Sequence, residues 1–325
     1  MPCVAQCSPA CDAFVTRCFR TVDCYGAAAL MARQRLCILS RKKSLYSTQR
    51  LVEAAKQQGA RALVMDTLRC AMVVSPGGNQ LLYRGVEVKG LEAAIPRIGA
   101  SITTYGMAVV THLETMGVPV VNPAQSIAKS RDKLRCLQLL AFEGIDVPRT
   151  IMANEHANVK RLLHGVNGLP CIIKLLRGTQ GVGVMLADTL QEAETIVQTF
   201  WGLGQDVCIQ EFVKESRGRD VRVLVVGDEV IGAMRRQARG GEFRSNIHRG
   251  GEGKSIRLPR EYQEVAVRAA RAVGLSVCGV DMLEGKDGPK VMELNSSPGF
   301  EGLEKATKKD IAGAIVRHAL SLSRK

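Results

Sequence analysis

From residue 35 onward, apolar and polar positions alternate in short blocks that switch between strand and helix periods. Leu36, Cys37, Ile38 and Leu39 form an apolar run of strand length. Leu51, Val52, Ala54 and Ala55 then recur at helical spacing, with Ser47 as the expected cap and Gly59 as the stop. Ala62 to Met65 is the next strand. Val73-Val74 and Leu81-Leu82-Tyr83 flank Ser75-Pro76-Gly77-Gly78-Asn79, a hairpin signal. A strand ending at Ile95-Pro96, a helix over 104–116 and a short strand from Val118 to Val121 complete a small α/β domain. A long helix is expected over 124–143, ended by Gly144. Residues 149–188 alternate short strands and one helix, with a glycine-rich turn between two strands. Further elements are a helix over 189–201 and strands over 207–213, 220–227 and 229–236. Gly227-Asp228 supplies a tight turn between the last two. A helix over 260–273 precedes a hairpin, 277–283 with 290–295. Thr307 and Asp310 read as a capping box before the final helix. The fold class is mixed α/β (α+β), without an internal repeat or a low-complexity linker.

The 325 residues suit two or three domains. No apolar run approaches the roughly 18 residues that cross a bilayer. The net charge of +14, from 45 basic and 31 acidic residues, fits a solvated basic surface or an anionic partner. Basic residues show local density from Arg235 to Arg249, but no basic block is interleaved with aromatics, so no nucleic-acid motif is present. Eleven cysteines include five within the first 24 residues, and none forms a C-x-x-C pair. That usage suits a reducing, cytoplasmic compartment. The opening segment lacks the basic and apolar regions of a signal peptide. Its Arg17 and Arg20 are balanced by Asp12 and Asp23, which argues against a transit peptide. Met31 stands just before the first strand, so residues 1–33 are expected to be an extension beyond the fold.

Three constellations carry chemistry. The first is Lys174 on a strand, followed by Gly178, Gly181 and Gly183 and then a second strand. Glycines let backbone N–H groups approach an anion, and a hairpin of this kind covers phosphates mechanically as a kinase glycine-rich loop does. Such hairpins are also common as plain structure. The second is Asp281 on one strand with Glu293 and Asn295 on the next. A turn centred on residue 287 makes Asp281 and Glu293 cross-strand neighbours, and Asn295 shares the face of Glu293. Three hard oxygen ligands on a core strand suit Mg²⁺ held together with phosphates. The third is Glu211-Phe212 at a strand end, followed by Asp220 and Arg222, a pattern compatible with a nucleotide base and ribose. Arg235, Arg236, Arg244, Ser245 and Asn246 lie near two glycine pairs. They suit carboxylate or phosphate recognition, or equally a solvated basic loop.

Taken together, these segments resemble the ATP-grasp superfamily, and within it the RimK-type glutamate ligases. The resemblance runs from residue 36 to about 320 through Ile38-Leu39-Ser40-Arg41, Pro96-Arg97-Ile98-Gly99, Arg131-Asp132-Lys133-Leu134-Arg135, the glycine-rich hairpin, the string F-R-S-N-x-H-R-G-G at 243–251 and the string M-E-x-N-x-S-P-G at 292–299. It implies an N-terminal pre-ATP-grasp domain (34–130) and an ATP-grasp domain (131–325) with subdomains 131–205 and 206–325. ATP would lie between the subdomains. Lys133 and Lys174 would meet phosphates, Glu211 and Phe212 would border adenine, and Asp220 would face the ribose. Arg244, Ser245 and Asn246 would approach from the substrate side, with Arg236 and Arg244 as the catalytic arginines. Asp281, Glu293 and Asn295 would hold two Mg²⁺ or Mn²⁺ ions. The reaction implied joins L-glutamate to an acidic acceptor through an acyl phosphate. The expected acceptor is the C-terminal glutamate of the sixth small-subunit ribosomal protein, or free glutamate growing into a polymer. A homo-oligomer, up to a tetramer, is expected, with no membrane and no direct nucleic acid. The rival readings are a ligase acting on a small-molecule cofactor, and a basic ribosome- or RNA-binding protein with a vestigial nucleotide site.

Overall fold

The structure is a computed structural model and describes residues 34–153, 158–175, 183–238 and 252–323. β1 (Arg35–Leu39), α1 (Tyr46–Gln57) and β2 (Arg61–Met65) open the chain. A small antiparallel meander of β3 (Cys70–Val73), β4 (Gln80–Tyr83) and β5 (Val86–Glu87) follows. β6 (Ala93–Pro96) then returns beside β1, giving a parallel sheet in the order β2-β1-β6. The expected strand at 118–121 is reduced to a single bridge between Val120 and Ala94.

After α2 (Thr103–Thr115), the expected long helix is two helices, α3 (Ala124–Arg131) and α4 (Lys133–Phe142). The physical reason is Asp132. Its backbone is extended, and its carboxylate accepts a hydrogen bond from the N–H of Arg135 at 3.0 Å, so it caps a new helix. Two other expected caps are corrected. Ser47 lies inside α1, and its Oγ accepts from Arg97 instead.

Next come β7 (Thr150–Ala153), α5 (Val159–His164), β8 (Cys171–Leu175), β9 (Val184–Ala187), α6 (Leu190–Gly202) and β10 (Val207–Glu211). These form a four-stranded antiparallel sheet, β7-β10-β8-β9, with its own core around Ile173, Val197 and Ile209. β10 therefore belongs to the smaller sheet. α6 carries a reciprocal capping box, Thr189 with Glu192.

β11 (Arg219–Val226), β12 (Glu229–Gln237), β13 (Glu252–Ser255), α7 (Arg260–Val273), β14 (Val277–Gly285) and β15 (Gly288–Asn295) build the larger sheet, ordered β13-β12-β11-β14-β15. The chain closes with α8 (Glu301–Thr307) and α9 (Ile311–Leu322). The expected Thr307–Asp310 capping box does not form. Thr307 ends α8, and Asp310 alone caps α9 through the N–H of Gly313.

The larger sheet has two differently used faces, as period-two alternation requires. Val221, Val223, Val225, Val280 and Met282 pack against α7. The opposite face buries Leu224, Val226 and Val277 against Ile315, Ala319 and the parallel sheet's Leu36 and Ile38. The N-terminal sheet and the C-terminal helix thus share one core. Asn122 reinforces the join: its amide donates to the carbonyls of Val277 and Ser296 and accepts from the N–H of Ser276 and Val277. The free thiols of Cys37, Cys70, Cys136, Cys171, Cys208 and Cys278 are all buried. No helix among the described residues is long and apolar enough to cross a membrane.

Candidate active site

The face that buries Leu224 and Val226 at one end turns polar at the other. The register sets Asp220 opposite Arg236, Arg222 opposite Asp281, and Asp281 opposite Glu293. A row of charge therefore crosses β12, β11, β14 and β15 on one face. The turn between β14 and β15 is tighter than expected, with only Lys286 and Asp287 outside the strands. A bulge beside Met282 takes up the difference, so the 281–293 pairing is as the index arithmetic required.

The row is densely paired. Arg222 grips Asp281 with two hydrogen bonds, at 2.7 and 2.5 Å, and Arg236 adds a third contact at 3.1 Å. Burial works against ionisation of Asp281, but the two guanidinium groups outweigh it and hold its carboxyl at about 2. Arg236 is 2% exposed and forks onto Asp220 as well. Burial opposes its charge, but Asp281 and Asp220 drive its pKa up.

Glu293 is different. It is half-buried, and among the described residues it makes no hydrogen bond or ion pair. Burial, and then the neighbouring charge of Asp281, push its carboxyl above the usual range. An ionised carboxylate in that setting is costly unless a cation accompanies it. Arg222, Lys174 and Lys133 act on it favourably from a distance. Asn295 stands two residues on, and its Oδ1 accepts from the N–H of Ser297. The donor set of Asp281, Glu293 and Asn295 fits a hard divalent ion, because an unpaired carboxylate lies beside one that two arginines hold ionised.

The smaller sheet supplies the cations. Lys174, on β8, pairs in register with Cys208, and its Nζ donates to Gln210 Oε1 at 2.5 Å. Burial lowers its pKa, so an anion placed there restores a charge that the fold disfavours. Lys133 opens α4 and donates to the carbonyl of Leu175 at 3.2 Å, which brings it to the same strand end. Leu175 also bonds to the carbonyl of Gly183, closing the base of the hairpin. Gly183 has a φ of +72°, and a Cβ there would lie 2.6 Å from Leu175, so a larger residue would open that closure.

Other expected site residues take different places. Glu211 is buried, and its carboxylate meets Asn167 at 2.7 Å and Lys290 at 2.9 Å, so only its backbone is left for an adenine edge. Phe212 is half-buried beside it. Asp220 pairs with Arg236, whose guanidinium meets both its carboxylate oxygens. Arg235 and Arg236 do not share a face. They alternate across β12: Arg236 is enclosed by Asp220 and Asp281, whereas Arg235 forks onto Glu284 on the opposite face. Gly178, Gly181, Arg244, Ser245 and Asn246 lie outside the described residues. Arg222, given no role of its own in the sequence pattern after Glu211, enters the site as the partner of Asp281. Its signal was its spacing of two from Asp220, which places it on the acidic face.

Comparisons with known proteins complete the picture. Residues 34–127 match the RimK PreATP-grasp domain, and residues 130–319 match the RimK-like ATP-grasp domain. A protein of Teredinibacter turnerae named probable alpha-L-glutamate ligase is 53% identical over 282 residues, 87% of this chain and 94% of its own length. One of Vibrio vulnificus with the same name is 50% identical over 281 residues, 86% and 93% of the two chains. Among solved structures, the ATP-grasp ligase PsnB complexed with minimal precursor superposes with a TM-score of 0.72 at 26% identity, covering 90% of this chain and 99% of that one. The same ligase with a phosphomimetic precursor variant, Mg and ADP gives 0.69, with the same identity and coverage. The chain belongs to the RimK-like ATP-grasp family.

Proposed function

We propose that this member of the RimK-like ATP-grasp ligases is an α-L-glutamate ligase that joins the amino group of L-glutamate to a carboxylate of a peptide or protein acceptor. The observation that carries the reading is Glu293, a carboxylate without a partner of its own among the described residues, beside ionised Asp281 and within the field of Lys133 and Lys174. It supports a site for a metal-bound polyphosphate. The names of the relatives and the precursor peptides bound by the structural neighbours support glutamate and a peptide acceptor.

In this reading Lys133 and Lys174 draw in the phosphates of ATP, and the backbone at Glu211 and Phe212 borders the adenine. Asp281, Glu293 and Asn295 would hold Mg²⁺ or Mn²⁺, as two ions. When bound, these neutralise phosphate oxygens and polarise the group transferred. Arg222 and Arg236 keep Asp281 ionised and fixed in place. An acceptor carboxylate oxygen attacks the γ-phosphorus and ADP leaves. The amine of glutamate then attacks the acyl carbon, phosphate leaves, and a proton is released. Positioning accounts for much of the rate, and no protein nucleophile is required. Arg244, Ser245 and Asn246 complete the substrate side on the strength of their motif.

The finer reading is that the acceptor is the C-terminal glutamate of the sixth small-subunit ribosomal protein, or a growing poly-α-glutamate chain, in the cytoplasm and on a homo-oligomer. The test is to incubate the protein with ATP, Mg²⁺ and labelled L-glutamate, with that ribosomal protein, with a glutamate-ended peptide, or with no acceptor, and to weigh the products. Glutamyl additions at the protein or peptide C-terminus are expected. Product formed only on a small molecule would replace this acceptor class, and no glutamate-dependent product would remove the activity.

A further inference from the structure

Two arginines at the edge of this site have no acidic partner. Arg97, just after β6, is half-buried and donates from one Nη to the carbonyl of Pro298 at 2.7 Å and to Ser47 Oγ at 3.3 Å. Its guanidinium lies over the ring of Phe300, 5.8 Å from the centroid. Burial pushes its pKa down to about 10. Arg131, the last residue of α3, donates to the carbonyl of Ile98, the neighbour of Arg97. Its Nε is buried without a hydrogen-bond partner, and the charge of Glu293 acts on it against the effect of burial. Neither arginine forms an ion pair with any described residue, although each is partly removed from water. A guanidinium carries five N–H donors, and neutral carbonyl and hydroxyl acceptors use few of them here. The other cations of the site have partners: Arg222 and Arg236 hold Asp281, Lys174 meets Gln210 and Lys133 meets the carbonyl of Leu175.

We propose that Arg97 and Arg131 form an anchor for a substrate carboxylate, on the N-terminal side of the row that ends at Glu293. The inference rests on the ligase reading and adds a subsite to it. A planar fork fixed over an aromatic ring matches a carboxylate in two places at once. The helix α3, which ends at Arg131, packs against β15, which carries Glu293, so that carboxylate would lie next to the group being phosphorylated or attacked. The same chemistry is offered by the side chain of a terminal glutamate on the acceptor and by the incoming glutamate.

The test uses the full chain and the variants Arg97→Gln, Arg131→Gln and Arg131→Lys. One arm compares peptides ending in glutamate and in glutamine as acceptors. The other compares L-glutamate and L-glutamine as the amine. Wild type should favour the acid in at least one arm, and the Gln variants should lose about tenfold or more of that preference. The arm that responds identifies the source. Arg131→Lys should recover part of the preference, since charge returns without the fork. ADP affinity with Mg²⁺ should stay within about twofold of wild type. An unchanged acid preference in both arms, or a parallel fall in ADP affinity, overturns the proposal. Arg97 also ties down Pro298, so if Arg97→Gln does not fold the Arg131 variants decide the matter. Glutarate, added without ATP, should raise the thermal midpoint of wild type but not of Arg131→Gln. That readout separates failure of the subsite from failure of glutamate ligation.

Discussion

Glu293 and Arg236 show how the same face assigns opposite duties to neighbouring charges. Glu293 is left without a partner among the described residues, so removing its charge should not harm the fold. Glu293→Gln is expected to keep or raise the thermal midpoint of the metal-free protein while lowering ligation by a hundredfold or more, on the order of what a lost charge-stabilising group costs. A calorimetric scan and a product assay on the same preparation check both halves. Arg236 lies between two buried carboxylates, and Arg236→Met would leave them facing each other. The expected loss is about 3–5 kcal/mol. Arg235→Ala, whose partner lies at the surface, should lose about 1 kcal/mol or less. Urea titrations of the two variants side by side provide the comparison. A pH effect follows with a definite sign. The folded Asp281 carboxyl sits at about 2, below its unfolded value, so it contributes stability above the unfolded value that is lost as pH falls through 2. Without Arg236 the folded value rises toward the unfolded one, and acid unfolding should begin at a higher pH.

Among the elements, α4 is the one whose start matters most. Asp132 breaks the helical run, caps α4 and thereby sets Lys133 at its first turn, near the end of β8. Asp132→Ala is expected to cost about 1 kcal/mol in a denaturant titration, the usual value of a lost N-cap. The break was hidden in the sequence because apolar spacing continues across it and helical periodicity does not register a single cap. The hairpin of β14 and β15 was legible for the opposite reason: two strands joined by a short turn fix which residues face each other, so Asp281 and Glu293 could be paired by arithmetic. The pairing of Asp220 with Arg236 was not legible, because alternation says which face a residue shares but not that a neighbouring strand supplies its counter-charge. The same limit hid Arg222, Arg97 and Arg131, whose partners come from distant parts of the chain.

At the scale of the whole molecule, burial divides the described chain unequally. The parallel sheet, α9 and one face of the larger sheet share a core, whereas the four-stranded sheet packs around residues of its own. Ile315→Ala, at a position 1% exposed, should cost about 2–5 kcal/mol and lower the stability of the N-terminal sheet with that of the larger one. Hydrogen exchange should show those regions opening together, and β7 to β10 opening separately at lower free energy. A heavy-oxygen label in the acceptor carboxylate follows the bond changes of ligation directly. With ATP, Mg²⁺, L-glutamate and a glutamate-ended peptide, one labelled oxygen should appear in inorganic phosphate for each glutamate joined. Label that stays wholly in the peptide while product forms, or ADP release that ignores glutamate and acceptor alike, would contradict ligation through an acyl phosphate.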